Sequence, residues 1–283
     1  PPMHPILLLA AFAAHADVLG ATLLVGADAV AVKWHHPVEF DGTVIVALHG
    51  SGSNPATFAS KTAFLDEVKV VGHFDSRTTA LVMPSGTIRS PLGRGGGLDP
   101  DDLAPGLYWN PPDDPEHRDD AVFLDTVVDA VADALEAPVA NVLVVGFSQG
   151  GAMALTWACR SSKVDVVTNV AGAWQLPDDV NTCANLPPHL GAAGEDSSMY
   201  PDVIDMEAAA EEWTLASGAP DVMWRHFPRM HDGCSLAVVA GTEDVDVDVV
   251  PTMRCAFTGL GHAWPRDRIM ESLAKEWFDH HTL

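Results

Sequence analysis

The chain has 283 residues, 47% hydrophobic and 19% charged, with 15 basic against 39 acidic side chains. A chain of this length and apolar content can bury a core without a metal or disulfide staple, which excludes a disordered or staple-dependent mini-protein. A formal net charge of −24 excludes nucleic acid and anionic membrane surfaces as general partners, because both reward Lys and Arg.

Met3–Ala16 is an apolar stretch ending in Ala14-His15-Ala16. It reads either as the core and cleavage site of a signal peptide, with no Lys or Arg ahead of it, or as an ordered N-terminal element. No uninterrupted apolar run of about 18 residues occurs, so no membrane span is expected. Ala21–Val25 and Ala29–Trp34 read as short strands around Gly26-Ala27-Asp28, a hairpin. Thr43–Leu48 is a continuous β-rich run, the pattern of a strand buried on both faces. It gives way to a turn-forming loop, His49-Gly50-Ser51-Gly52-Ser53-Asn54-Pro55.

Ala80–Met83 is a further strand that stops at Pro84-Ser85-Gly86. Residues 84–119, rich in Gly, Pro and Asp and without periodicity, read as a lid-like loop, since long irregular segments in compact domains are commonly functional. Asp99, Asp101 and Asp102 lack the spacing and closing Glu of an EF-hand calcium loop and read as a solvated turn. Asp120–Glu136 places Phe123, Leu124, Val127, Val128, Val131 and Leu135 on one helical face, and Pro138 ends that helix. Asn141–Val145 is the next strand, followed by Gly146-Phe147-Ser148-Gln149-Gly150-Gly151 and a small-residue helix through Trp157. Strands at Val164–Val170 and Leu190–Ala193 and helices near Ile204–Ala216 and Ile269–Phe278 complete the pass. The alternation predicts an α/β fold. A mostly parallel sheet carries helices on both faces and an antiparallel N-terminal hairpin, in a single domain over 1–283.

Cys159, Cys183, Cys234 and Cys255 allow three pairings and form neither a CxxC pair nor a zinc-site spacing. Two disulfides in an exported protein and four buried thiols both fit that spacing.

The strongest chemical signal is Gly146-Phe147-Ser148-Gln149-Gly150, because a Val-rich strand precedes it and a helix follows. In such a turn the serine is held at the sheet's edge, and glycines flank it because side chains would strike the neighbouring strand and helix. A serine hydroxyl is a weak nucleophile near neutral pH and needs a base oriented by a carboxylate. His262 is the candidate base: it lies late in the chain, in the Gly-framed loop Thr258–Pro265, after the strand-like Met253–Phe257 and before the last helix. The candidate acid is Asp196, directly after Leu190–Ala193. Asp244, after Leu236–Ala240, is the rival, and it stands too near His262 to leave room for a helix between them. The oxyanion formed on attack needs two backbone N–H donors. Gln149, after the nucleophile, and Ser51, in the loop after Thr43–Leu48, are the candidates. Tyr108, Trp109 and Trp264 are candidate substrate-binding rings that could stack on an aromatic acyl group or a polyester chain.

These segments together resemble the α/β-hydrolase superfamily, and more narrowly its polyhydroxybutyrate depolymerase and feruloyl esterase group (LpqC-like). The resemblance runs from about Thr43 to Pro265. It rests on Leu48-His49-Gly50, GFSQGGAMAL at Gly146–Leu155, GEDSSMYP at Gly194–Pro201, HDGC at His231–Cys234 and GHAWP at Gly261–Pro265. GFSQGGA is also similar to the phospholipase/carboxylesterase family of acyl-protein thioesterases. The resemblance implies Ser148, Asp196 and His262 as nucleophile, acid and base, and the bridges Cys159–Cys183 and Cys234–Cys255. It implies a serine esterase, secreted or periplasmic, acting on a small or polymeric ester with no metal and no other cofactor. A thioesterase-like deacylase and a catalytically idle binding module are the alternatives.

Overall fold

The computed structural model describes residues 21–25, 30–66, 74–88, 107–110, 118–172, 183–194, 203–217, 222–226, 233–239, 252–258, 260–265 and 269–282. Met3–Ala16, the Gly26-Ala27-Asp28 turn, the Asp99, Asp101 and Asp102 cluster, and both Asp196 and Asp244 lie outside these residues. In chain order the elements are β1 (Ala21–Val25), β2 (Val30–His35), β3 (Thr43–Leu48), α1 (Pro55–Ala59), β4 (Leu65–Asp66), β5 (Phe74–Asp75) and β6 (Ala80–Met83). Then come β7 (Thr87–Ile88), β8 (Leu107–Tyr108), α2 (Asp120–Leu135), β9 (Asn141–Phe147), α3 (Gln149–Arg160), β10 (Val166–Val170) and β11 (His189–Gly194). The last are α4 (Val203–Ala216), β12 (Val222–His226), β13 (Cys234–Val239), β14 (Thr252–Phe257) and α5 (Ile269–Thr282).

One 10-stranded sheet runs β1-β2-β6-β3-β9-β10-β11-β14-β13-β12. Its middle, from β6 to β14, is parallel. The hairpin β1–β2 closes one edge antiparallel, as its sequence predicts. The other edge, β13 and β12, is antiparallel as well; this was not expected, and it limits the parallel part to the six central strands.

Because successive strand residues face opposite sides, the continuous apolar runs feed two cores. Val44, Val46 and Leu48 of β3 join α2 and α3 in one cluster, while Ile45 and Ala47 join α5 in the other. The six residues of β3 are all buried, which is why this segment carries no hydrophobic alternation. The helix on Asp120–Leu135 starts at Asp119, whose carboxylate accepts from the Ala121 and Val122 amides, and ends at Glu136 in the left-handed region (φ 51°) ahead of Pro138. Helix α1 begins at Pro55, the last residue of the stretch read as a loop, and was not itself expected; Asn54 caps it by accepting from the Thr57 amide, and Pro55 occupies its first turn.

Both bridges implied by the resemblance are formed. Cys159–Cys183 ties the last turn of α3 to the segment entering β11. Cys234–Cys255 joins directly opposed residues of β13 and β14.

Candidate active site

The site starts from a turn too tight for most residues. β9 runs straight into α3, and Ser148 between them takes φ 54° and ψ −125°, a conformation that costs a non-glycine residue on the order of 1–3 kcal/mol. Its amide donates to the Val170 carbonyl at 2.8 Å, and its carbonyl accepts from the Gly151 amide at 2.9 Å, so the strained residue is held from both sides. Gly150 is required here: a Cβ on it would lie 2.4 Å from the Leu48 carbonyl oxygen and 2.5 Å from that of His49.

His262 meets Ser148 across the sheet's carboxyl rim, with Nε2 3.0 Å from Oγ. For the hydroxyl to donate, Nε2 must be the unprotonated nitrogen, and the ring proton then sits on Nδ1. That Nδ1 is buried and has no hydrogen-bond partner among the described residues. Burial lowers the imidazole pKa from its ordinary value, because the charged form is poorly solvated there. The Phe147 ring covers one side of it, with centroids 5.4 Å apart.

The loop after β3 abuts the serine: a Cβ placed on Gly50 would lie 3.2 Å from the Ser148 Cβ. Ser51 is exposed, and its amide donates to no backbone carbonyl among the described residues. Gln149 is the first residue of α3, where an N–H has no intrahelical acceptor. Among the described residues the Ser51 amide therefore has no backbone acceptor, and the Gln149 amide has none within its helix. His49, given no role of its own in the sequence reading, braces this loop. It is fully buried; its Nδ1 lies 2.9 Å from the Gly50 carbonyl oxygen, and its Nε2 accepts from the Gly86 amide at 3.1 Å. An accepting Nε2 makes Nδ1 the donor, so the ring is neutral, in keeping with burial lowering its pKa.

The three rings expected to bind substrate are instead interior. Trp109 is 2% exposed and donates its indole N–H to the His49 carbonyl at 2.8 Å. Trp264 is 8% exposed, meets Phe58 and Phe64 edge-on, and donates to Glu271 Oε1 at 3.2 Å. Tyr108 is 5% exposed, beside Gly52. Both indole N–H groups find acceptors inside, so these rings are held by the interior and do not stand out as an exposed stacking platform. Of the expected lid, residues 84–88, 107–110 and 118–119 are described, and buried Asp120 pins its ends. Asp120 accepts from the Asn110 amide at 2.7 Å and pairs with Arg118, which also donates to the Ser85 carbonyl.

Glu271 is a further residue with no sequence signal beyond a charge on the apolar face of the last helix. It is 2% exposed and accepts from both Trp264 and the Ala63 amide, the latter at 2.9 Å. It thus moors the loop that carries His262.

Residues 43–168 match the family model described as serine hydrolase (FSH1), a stretch that includes Ser148 and ends well before His262. Among solved structures, the esterase PE8 is 19% identical, with 88% of this chain and 97% of that chain covered and a TM-score of 0.54. Zea mays acyl-protein thioesterase 2 is 14% identical, with 89% and 99% covered and a TM-score of 0.53. The acetyl xylan esterase from Aspergillus awamori is 12% identical, with 88% and 93% covered and a TM-score of 0.57. No curated protein matches the chain. The fold is that of the α/β hydrolases. The matched stretch carries the strand β3, the strand β9 and the Ser148 turn, so within it the chain is similar to the serine hydrolases of that family.

Proposed function

We propose that the protein is a carboxylic-ester hydrolase working through an acyl-enzyme, with Ser148 as nucleophile and His262 as general base. The observation that carries this reading is the 3.0 Å approach of His262 Nε2 to the Oγ of a serine held at φ 54°. His262 takes the Ser148 proton as Oγ attacks the ester carbonyl, and the Ser51 and Gln149 amides receive the oxyanion. The protonated imidazole then gives its proton to the leaving alcohol. Water, deprotonated by the same imidazole, releases the acid and restores Ser148.

Asp196 is the proposed acid for the buried Nδ1 of His262. Strand direction supports it over Asp244. β11 is parallel to β14, so Gly194 at its end pairs with Phe257 on the rim that carries His262. β13 is antiparallel to β14 and delivers the chain towards Asp244 from the opposite rim. The substrate class we propose is a hydroxycinnamoyl ester, a polyhydroxyalkanoate or a related polyester, handled outside the cytoplasm. The GHAWP and GEDSSMYP segments and the two disulfides support this. Among the described residues no helix is long and apolar enough to cross a membrane.

The test is hydrolysis of p-nitrophenyl butyrate. Ser148→Ala should lose about 10⁴-fold or more in kcat and all labelling by a fluorophosphonate, whereas full retained activity rejects the reading. Asp196→Asn should cost far more than Asp244→Asn, and the reverse order would transfer the acid role. A panel of methyl ferulate, polyhydroxybutyrate and a palmitoyl thioester separates the esterase from an acyl-protein-thioesterase-like deacylase.

A further inference from the structure

The two candidate oxyanion donors lie on segments far apart in the chain, so something must fix the distance between them. The side chain of Gln149 makes a backbone-like double pairing with Trp109: Oε1 accepts from the Trp109 amide at 3.1 Å and Nε2 donates to its carbonyl at 3.0 Å. Ser51 Oγ also approaches Oε1, at 3.4 Å. Trp109 in turn donates its indole N–H to the His49 carbonyl, and its neighbour Leu107 accepts from the Gly52 amide at 3.0 Å. A closed circuit results, from Gln149 through Trp109 to His49 and Gly52, and back through Ser51 to Gln149.

From this circuit we infer that the Gln149 side chain is a positioning residue for the oxyanion site. It locks the loop carrying the Ser51 amide to the helix end carrying the Gln149 amide, by way of the inner edge of the expected lid. The inference rests on the esterase reading and adds a role that reading does not contain. A side-chain amide suits the task because its donor and acceptor are fixed side by side and match a peptide unit. Preset donors are what makes oxyanion stabilisation effective, since none of their orientation must be bought during the reaction.

The experiment uses Gln149→Met, which keeps length and loses both bonds, and Gln149→Glu, which keeps an acceptor but sets a carboxylate oxygen against the Trp109 carbonyl. With p-nitrophenyl butyrate both should lower kcat by about 10²-fold with KM little changed. The inhibition constant of butaneboronic acid, whose adduct mimics the tetrahedral intermediate, should rise by a similar factor. The acidic limb of the kcat/KM profile should not move, because the His262–Ser148 pair is untouched. Wild-type kcat in either folded variant overturns the inference, as does a loss confined to thermal stability. Should neither variant fold, amide exchange in the native protein decides: bound butaneboronic acid should slow exchange at Trp109 as well as at Ser51, and an unchanged Trp109 amide overturns the inference. An active Ser148→Ala enzyme would sink the esterase reading itself, whereas inert Ser148→Ala beside fully active Gln149→Met sinks only the clamp.

Discussion

The two halves of the site are held by different means. Ser148 follows β9, which has sheet neighbours on both sides and helices over both faces. Its geometry is set within a few residues, by a turn that only close-packed glycines permit. His262 follows β14, whose outer neighbour β13 is antiparallel and tied to it by Cys234–Cys255. The histidine loop is then moored at a distance, through Trp264 and buried Glu271. The proposed nucleophile is thus a local feature of the core, and the proposed base is a tertiary assembly. The two sides should therefore fail differently when perturbed.

The glycine at each side gives the largest contrast. Gly150→Ala drives a methyl into the Leu48 and His49 carbonyls, where the chain leaves the buried central strand β3 and has no room to yield, so loss of soluble folded protein is expected in expression and melting assays. Gly194→Ala would place a Cβ 1.9 Å from the Leu260 carbonyl oxygen, in the loop that carries His262 and outside the central strands. The expected result is a folded enzyme with kcat down about 10²-fold, the cost of a misplaced catalytic group. Equal melting losses in the two variants would break the contrast.

The disulfides come next. Each closes a loop of similar length, with separations of 24 and 21 residues, so replacing either pair by serines should cost about 3 kcal/mol in denaturant melts. Only the Cys234/Cys255 replacement should also lower kcat, because β14 leads into the histidine loop. Glu271→Leu leaves the Trp264 indole and Ala63 amide without their acceptor and should cost about 1–3 kcal/mol, with a smaller fall in kcat. Unchanged kcat would remove Glu271 from the support of His262.

The smallest effect concerns the opposite end of the sheet. His189 opens β11, is fully buried, and has its pKa lowered to about 3 by burial. The unfolded chain takes up a proton near pH 6.5 that the folded state refuses. Its stabilising contribution is therefore complete above pH 6.5 and is lost as pH falls towards 3. Between pH 7 and pH 5 this amounts to about 2 kcal/mol. Urea melts of the native protein and His189→Gln should show that difference in slope, with kcat unaffected in the variant.

Legibility in the sequence followed the same division. The Thr43–Leu48 and Asn141–Val145 runs, the GFSQG turn and the helix from Asp120 were readable because periodicity, capping and glycine spacing are local properties. His262 was readable from its Gly-framed loop and late position. Strand β12 was not, since Val222–His226 is short and ends in Arg225 and His226, and an edge strand needs no continuous apolar pattern. The inward course of Trp109 and Trp264 was not either, because a ring suits a wall or a binding face equally well until its N–H finds an acceptor.

By itself, the order of residues determined the parallel core, the strained turn that presents Ser148, and the chemistry available at positions 148 and 262. Each depends on near neighbours whose steric limits are written in the sequence. The tertiary structure alone decided where the Trp109 and Trp264 indoles find acceptors, that His49 is neutral, and which groups the Gln149 and Glu271 side chains bond. Hydrogen-bond partners for buried polar groups are chosen in space, from segments that the chain order leaves far apart.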